Sequence, residues 1–151
     1  MQNKEDKRWL DPILTGQICP YCNCKTELVS GSDIYTGTNQ YSDYRFFRCV
    51  LNRDHYIGTY ASGRSLGRLA DRQLRRKKME AHQIFDSLWK APPPFFRTRF
   101  LAYQWLSVRM NLPQDLTHIG MFDVEQCDCV IRICKAYLAA NRDNKKVSKS
   151  K

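Results

Sequence analysis

Apolar and polar positions change their rhythm along this chain. Between residues 27 and 60 the apolar residues come in short β-branched and aromatic runs, broken by turn residues. Glu27-Leu28-Val29 leads into a Ser30-Gly31-Ser32-Asp33 turn, and Ile34-Tyr35-Thr36 reads as a short strand. A second turn over residues 37–40 precedes the run Tyr44-Arg45-Phe46-Phe47-Arg48-Cys49-Val50, the strongest strand signal. After a loop at residues 51–54, Tyr56 to Tyr60 predicts a further strand, and Ser62-Gly63-Arg64-Ser65 closes the set.

From residue 71 the period becomes helical. Leu74, Lys78, Ala81, Phe85 and Leu88 fall at alternating four- and three-residue steps, which predicts a helix over 71–89 with one buried stripe. Ala91-Pro92-Pro93-Pro94 breaks it with a stiff extended segment. A second helix is expected over 99–111, with Leu101, Trp105, Val108 and Leu112 as its stripe and Pro113 as its stop. Asp123 reads as an N-cap with Gln126 as its capping-box partner. The last helix then runs over 124–140, burying Cys127, Ile131, Cys134 and Leu138. These elements predict an α+β fold, a ribbon of short antiparallel strands followed by three helices. The expected organisation is a lead-in over 1–18, the ribbon over 19–63, a basic helix over 64–90, a helical subdomain over 91–140 and a disordered basic tail over 141–151. Trp9, Leu10, Ile13 and Leu14 form a first apolar cluster that can lie over the domain as a lid.

Charge narrows the partners. The chain has 151 residues and a formal charge of +10, which favours polyanions, with nucleic acid first. Residues 64–78 hold seven basic residues against one acid, a net of +6. Arg64, Arg68, Arg72, Arg75, Arg76 and Lys77 are the candidate phosphate contacts, several at helical steps. Cations crowded at a helix N-terminus oppose its dipole, a local cost that hints at a role other than helix stability. The bland alternative is a solvated helix face. Tyr35, Tyr41, Tyr44, Tyr56 and Tyr60 can stack on bases or simply form the ribbon's core.

Seven cysteines, no apolar leader at the start and no run long enough to span a bilayer predict reduced thiols in a cytoplasm, without a membrane partner. Cys19-Pro20-Tyr21-Cys22 entering a β-ribbon is a zinc-knuckle pattern. A redox Cys-x-x-Cys instead wants a βαβ setting. Cys49, ending the aromatic strand, is the natural third ligand. His55 is favoured as the fourth, with Cys24 and Asp54 as rivals. Three thiolates and one imidazole would make a closed, structural site for one Zn2+. Cys127, Cys129 and Cys134 do not share one helical face and read as core or surface thiols, and His118 as a loop histidine. No nucleophile–base pair, carboxylate dyad or phosphate-binding Gly-rich loop emerges, so a non-enzymatic role is expected.

Several segments together resemble a bacterial and bacteriophage zinc-finger-containing domain family of unknown function. They are Cys-Pro-Tyr-Cys (19–22), Glu-Leu-Val-Ser-Gly-Ser-Asp-Ile-Tyr (27–35), Tyr-Ile-Gly-Thr (56–59), Leu-Gly-Arg-Leu-Ala-Asp (66–71) and Leu-Arg-Arg (74–76). They continue with Ala-His-Gln-Ile-Phe-Asp-Ser-Leu-Trp (81–89), Ala-Tyr-Gln-Trp-Leu (102–106) and His-Ile-Gly-Met-Phe-Asp (118–123). The resemblance implies two Cys-x-x-Cys knuckles. Cys19 and Cys22 match the first and Cys49 the second, whose last cysteine is missing here, with His55 standing near its place. It also implies zinc and a bacterial or phage setting, and carries no established activity. Two functions are therefore expected to compete, a nucleic-acid-binding accessory protein and a module that docks on a host protein.

Overall fold

The computed structural model of the protein describes residues 11–141. Trp9 and Leu10 of the expected lid, and the tail beyond Asn141, lie outside the described residues. The chain divides into two units, one reaching to Arg75 and the other beginning at Arg76, so the division falls inside a helix.

The first unit is a three-stranded antiparallel sheet, β1 (Thr26–Ser30), β2 (Arg45–Cys49) and β3 (Tyr56–Gly58), in the order β1-β2-β3. The register pairs Thr26 with Cys49 and Phe47 with Ile57. Side chains alternate across a strand, so Phe47, Ile57 and Cys49 share one face. That face packs into a small core around Cys19, Cys49 and Leu69, with Cys22 and Cys24 at its margin. After β3 the chain folds back on it. Thr59 bridges to Ser65 and Tyr56 to Ala70, which buries Leu69 and Ala70.

The strand expected at Ile34-Tyr35-Thr36 is absent. Residues 31–34 form a single helical turn, α1 (Gly31–Ile34), with Ser30 and Asp33 as a reciprocal capping box. Gly31 is needed there because its backbone lies against the Tyr41 carbonyl, where a Cβ would stand 1.9 Å from the oxygen. The rings of Tyr35 and Tyr41 meet at 4.6 Å and those of Tyr35 and Phe46 at 6.0 Å. The turn thus brings Tyr35 onto aromatic neighbours instead of into a ladder.

α2 (Arg72–Asp86) begins in the first unit and ends in the second. Its predicted stripe is buried, Lys78 included. The Lys78 Nζ donates to the Gly120 carbonyl at 2.7 Å, so a buried cation is satisfied rather than left at the edge. The proline run is not an extended spacer. The Phe95 and Phe96 N–H groups both donate to the Leu88 carbonyl, at 2.9 and 3.0 Å, which folds the segment back on the end of α2.

α3 (Arg99–Met110) starts at a Thr98 cap and stops where Asn111 turns left-handed, two residues before Pro113. Its predicted stripe is rotated. Ala102, Tyr103, Leu106 and Ser107 are buried, while Leu101 is 41% and Val108 79% exposed. The helix is apolar on more than one side, so two stripes satisfy the period. The ring of Tyr103, 4.4 Å from that of Phe85, belongs to the buried one. Two 3-10 turns, Gln114–Leu116 and Ile119–Met121, lead to α4 (Val124–Ala140), which has the expected bounds and the Asp123–Gln126 capping box. Cys127, Ile131 and Cys134 are buried on it. No described helix is long and apolar enough to cross a membrane.

Candidate metal centre

The knuckle is a tight turn closed at both ends. The Cys19 N–H donates to the Cys24 carbonyl at 2.8 Å, and the Asn23 N–H to the Cys19 carbonyl at 2.9 Å. Asn23 takes a left-handed φ of 53°, which asparagine tolerates better than most residues. A second turn follows β2. The Leu51 and Asn52 N–H groups both point at the Cys49 Sγ, each at 3.4 Å. The Cys49 N–H donates to the His55 carbonyl at 2.9 Å, which fixes how far the loop carries the histidine.

These two turns bring the donor atoms of Cys19, Cys22, Cys49 and His55 within 4.8 Å of one another. The His55 Nδ1 lies 3.5 Å from the Cys19 Sγ and 3.6 Å from the Cys22 Sγ. A tetrahedral zinc with Zn–S of about 2.3 Å and Zn–N of about 2.0–2.1 Å holds sulfur and nitrogen about 3.6 Å apart. The spacing therefore fits a zinc ion with Nδ1 as the ligating nitrogen. Cys19, Cys49 and His55 are buried, so solvent has little access. Four protein ligands make the site closed and structural, and it takes one Zn2+.

The donor chemistry agrees. Burial, followed by the neighbouring Cys49 and Cys19 thiols, pushes the Cys22 thiol up to about 12. Burial also opposes ionisation of Cys49, but the Leu51 and Asn52 N–H groups and the hydrogen bonds of nearby thiols bring it down to about 6. Without a cation, ionisation is favoured at Cys49 and resisted at Cys22. A divalent ion removes that conflict, since a coordinating thiol is deprotonated outright.

The rivals for the fourth position are placed elsewhere. Cys24 lies 3.4 Å from the Cys49 Sγ but outside the four-donor group. Asp54 is turned toward Arg75, whose Nη2 it accepts in an ion pair. That hydrogen bond holds the Asp54 carboxyl below the usual carboxylate range, although the pair is partly exposed.

Around the ligands is a shell that sequence reasoning missed. The Tyr21 ring covers the His55 imidazole at 4.4 Å between centroids, and its hydroxyl accepts the Asp71 N–H at 3.1 Å. Asp71 in turn caps the start of α2 by accepting the Leu74 N–H at 2.8 Å. Arg75 donates to the carbonyls of Asp54 (2.7 Å) and Ala70 (2.6 Å), and its guanidinium lies 4.1 Å over the Tyr56 ring. Both neighbours of His55 in sequence are thus gripped by one arginine. Only the aromatic character of Tyr21 and Tyr56 hinted at this.

The other basic candidates are divided. Arg64 and Arg68 lie in the segment before α2 rather than on it, Arg64 exposed and Arg68 half-buried. Arg72 and Arg76 are exposed one turn apart on the helix. Lys77 pairs with Asp128 at 2.8 Å. Cys127 and Cys134 are core residues, and burial pushes the Cys134 thiol up to about 12. His118 is half-buried with its ring 5.1 Å from that of Tyr103.

Comparison with curated proteins and with solved structures finds no significant match. A family of zinc-finger-containing domains matches residues 15–137, a span that includes all four ligands and every strand and helix up to most of α4. With that span matched, the chain belongs to the zinc-finger-containing domain family.

Proposed function

We propose that the protein is a nucleic-acid-binding accessory module of bacterial or phage origin. In this reading zinc holds the ribbon, and the basic segment 64–78 contacts phosphates. The observation that carries it is the placement of charge. A chain with a net charge of +10 gathers seven basic residues in 64–78, two of them, Arg72 and Arg75, in the first turn of α2, where the helix dipole disfavours cations. Arg72 and Arg76, exposed one turn apart on α2, are the contacts we favour first, with Arg64 and Arg68 beside them in the same segment, whereas Arg75 and Lys77 form ion pairs with Asp54 and Asp128. The working environment we infer is the cytoplasm of the bacterial or infected cell. Nothing in the closed donor set calls for catalysis, so we read the protein as a binding module rather than an enzyme.

Binding to single- and double-stranded DNA and RNA should be measured across a salt series. The reading expects log-linear weakening with salt, and each of Arg72→Ala and Arg76→Ala should lower the slope by about one. Absence of affinity for all four at low salt ends it. One observation favours a second reading, docking on a host protein. Phe100, Leu101 and Val108 expose apolar surface on α3. Under that reading Val108→Asp abolishes partner capture and leaves nucleic-acid binding unchanged.

A further inference from the structure

Beside the three ligand sulfurs lies a fourth, that of Cys24. Cys24 Sγ lies 3.4 Å from Cys49 Sγ and outside the four-donor group. It is therefore beside a ligand and not a ligand. Its position is built in, because the Cys24 carbonyl accepts the Cys19 N–H that closes the knuckle. Cys24 is also half-buried, whereas Cys49 is 1% exposed. An oxidant arriving from solvent meets Cys24 before Cys49.

We propose that Cys24 is an oxidation site that unloads the metal by forming a disulfide with Cys49. The co-reactant is a small peroxide. The Cys24 sulfur attacks one peroxide oxygen and the O–O bond breaks, giving a sulfenic acid and water in the hydrogen peroxide case. The Cys49 sulfur then attacks the Cys24 sulfur, the S–O bond breaks, and the departing hydroxide takes a proton to become a second water. The two sulfurs lose two electrons in all, Cys24 gives up its proton, solvent supplies the second proton because Cys49 is already a thiolate in the loaded site, and one peroxide becomes two waters. The sulfurs need to close from 3.4 Å to a bond of about 2.05 Å, a shift within reach of side-chain rotation. Cys49 can then no longer serve the zinc as a thiolate. Only Cys19, Cys22 and His55 would then remain to hold a zinc ion, and its affinity would fall.

The test uses the zinc-loaded full chain and hydrogen peroxide, followed by native mass spectrometry, a chromogenic zinc chelator and disulfide mapping. The expected result is loss of one zinc to give a product two hydrogens lighter than the reduced zinc-free chain, a peptide linking Cys24 to Cys49, and zinc rebinding after dithiothreitol. Cys24→Ser should keep its zinc when reduced and release it far more slowly under peroxide. Three results overturn the proposal. Cys24→Ser releases zinc as fast as the parent, the mapped disulfide excludes Cys24, or Cys24→Ser fails to hold zinc before any oxidant is added.

Discussion

Tyr21 lies across His55, ring centroid to ring centroid 4.4 Å, and ties the metal site to the start of α2 through the Asp71 N–H. The tyrosine belongs to the knuckle itself, between the first two ligands, so one residue both shields the fourth ligand and anchors the helix. Tyr21→Phe keeps the ring and loses the hydrogen bond, and should cost about 0.5–1.5 kcal/mol. Tyr21→Ala should cost more and speed zinc transfer to a competing chelator. Unfolding in urea and chelator kinetics check the pair. Equal effects of the two variants would mean that the stack over His55 contributes nothing.

Arg75 holds the loop from Asp54 to Tyr56 by charge, by two carbonyl hydrogen bonds and by its place over the Tyr56 ring. The ion pair is half exposed and supplies only about 0.2–1 kcal/mol on its own. Arg75→Ala should therefore destabilise more than Asp54→Asn, because it also strips the two carbonyls and the ring of their partner. Arg75→Lys should recover little, since an ammonium cannot reach these partners as a planar fork does. Denaturant midpoints of the three variants decide this.

His82 contributes to the pH dependence of stability. Its Nδ1–H donates to the Lys78 carbonyl at 2.9 Å, and burial, the dominant influence, lowers its pKa. The folded chain thus binds this proton less readily than the unfolded chain. The contribution is whole above about pH 6.5, the ordinary histidine value, and is lost as pH falls through the lowered folded value. An NMR titration of the His82 ring should give a midpoint below 6.5. His82→Gln should flatten the corresponding loss of stability. A midpoint at or above the ordinary value would contradict the burial argument.

The rotation of α3 is equally open to test. Val108→Asp should fold with a stability change within about 0.5 kcal/mol, since the side chain is exposed. Leu106→Ala, at a fully buried position, should cost about 2–5 kcal/mol. Thermal unfolding of the two variants separates the buried stripe from the exposed one.

Which parts were legible in the sequence follows from how local their causes are. Cys19, Cys22 and Cys49 were readable because metal chemistry restricts residue type and spacing, and α4 because Asp123 and Gln126 mark its start. The same capping rule applied at Ser30 and Asp33 would have revealed α1 in place of a strand; aromatic and β-branched neighbours hid it. The face of α3 was not legible, because Leu101 and Val108 fit the helical period as well as Ala102 and Leu106 do. Nor was the task of Arg75. Its partners Asp54, Tyr56 and Ala70 are set by the fold, and a run of arginines looks alike whether it meets solvent, phosphate or its own chain.

The central claim is a closed zinc site of three sulfurs and one nitrogen. Zinc-edge X-ray absorption on the purified, zinc-loaded protein tests it most directly. The account predicts three sulfurs at about 2.3 Å and one imidazole nitrogen at about 2.0–2.1 Å. The nitrogen should disappear from the zinc shell in His55→Ala, and the parent spectrum should persist in Cys24→Ser. A four-sulfur shell in the parent protein, with Cys24 in place of His55, would contradict it.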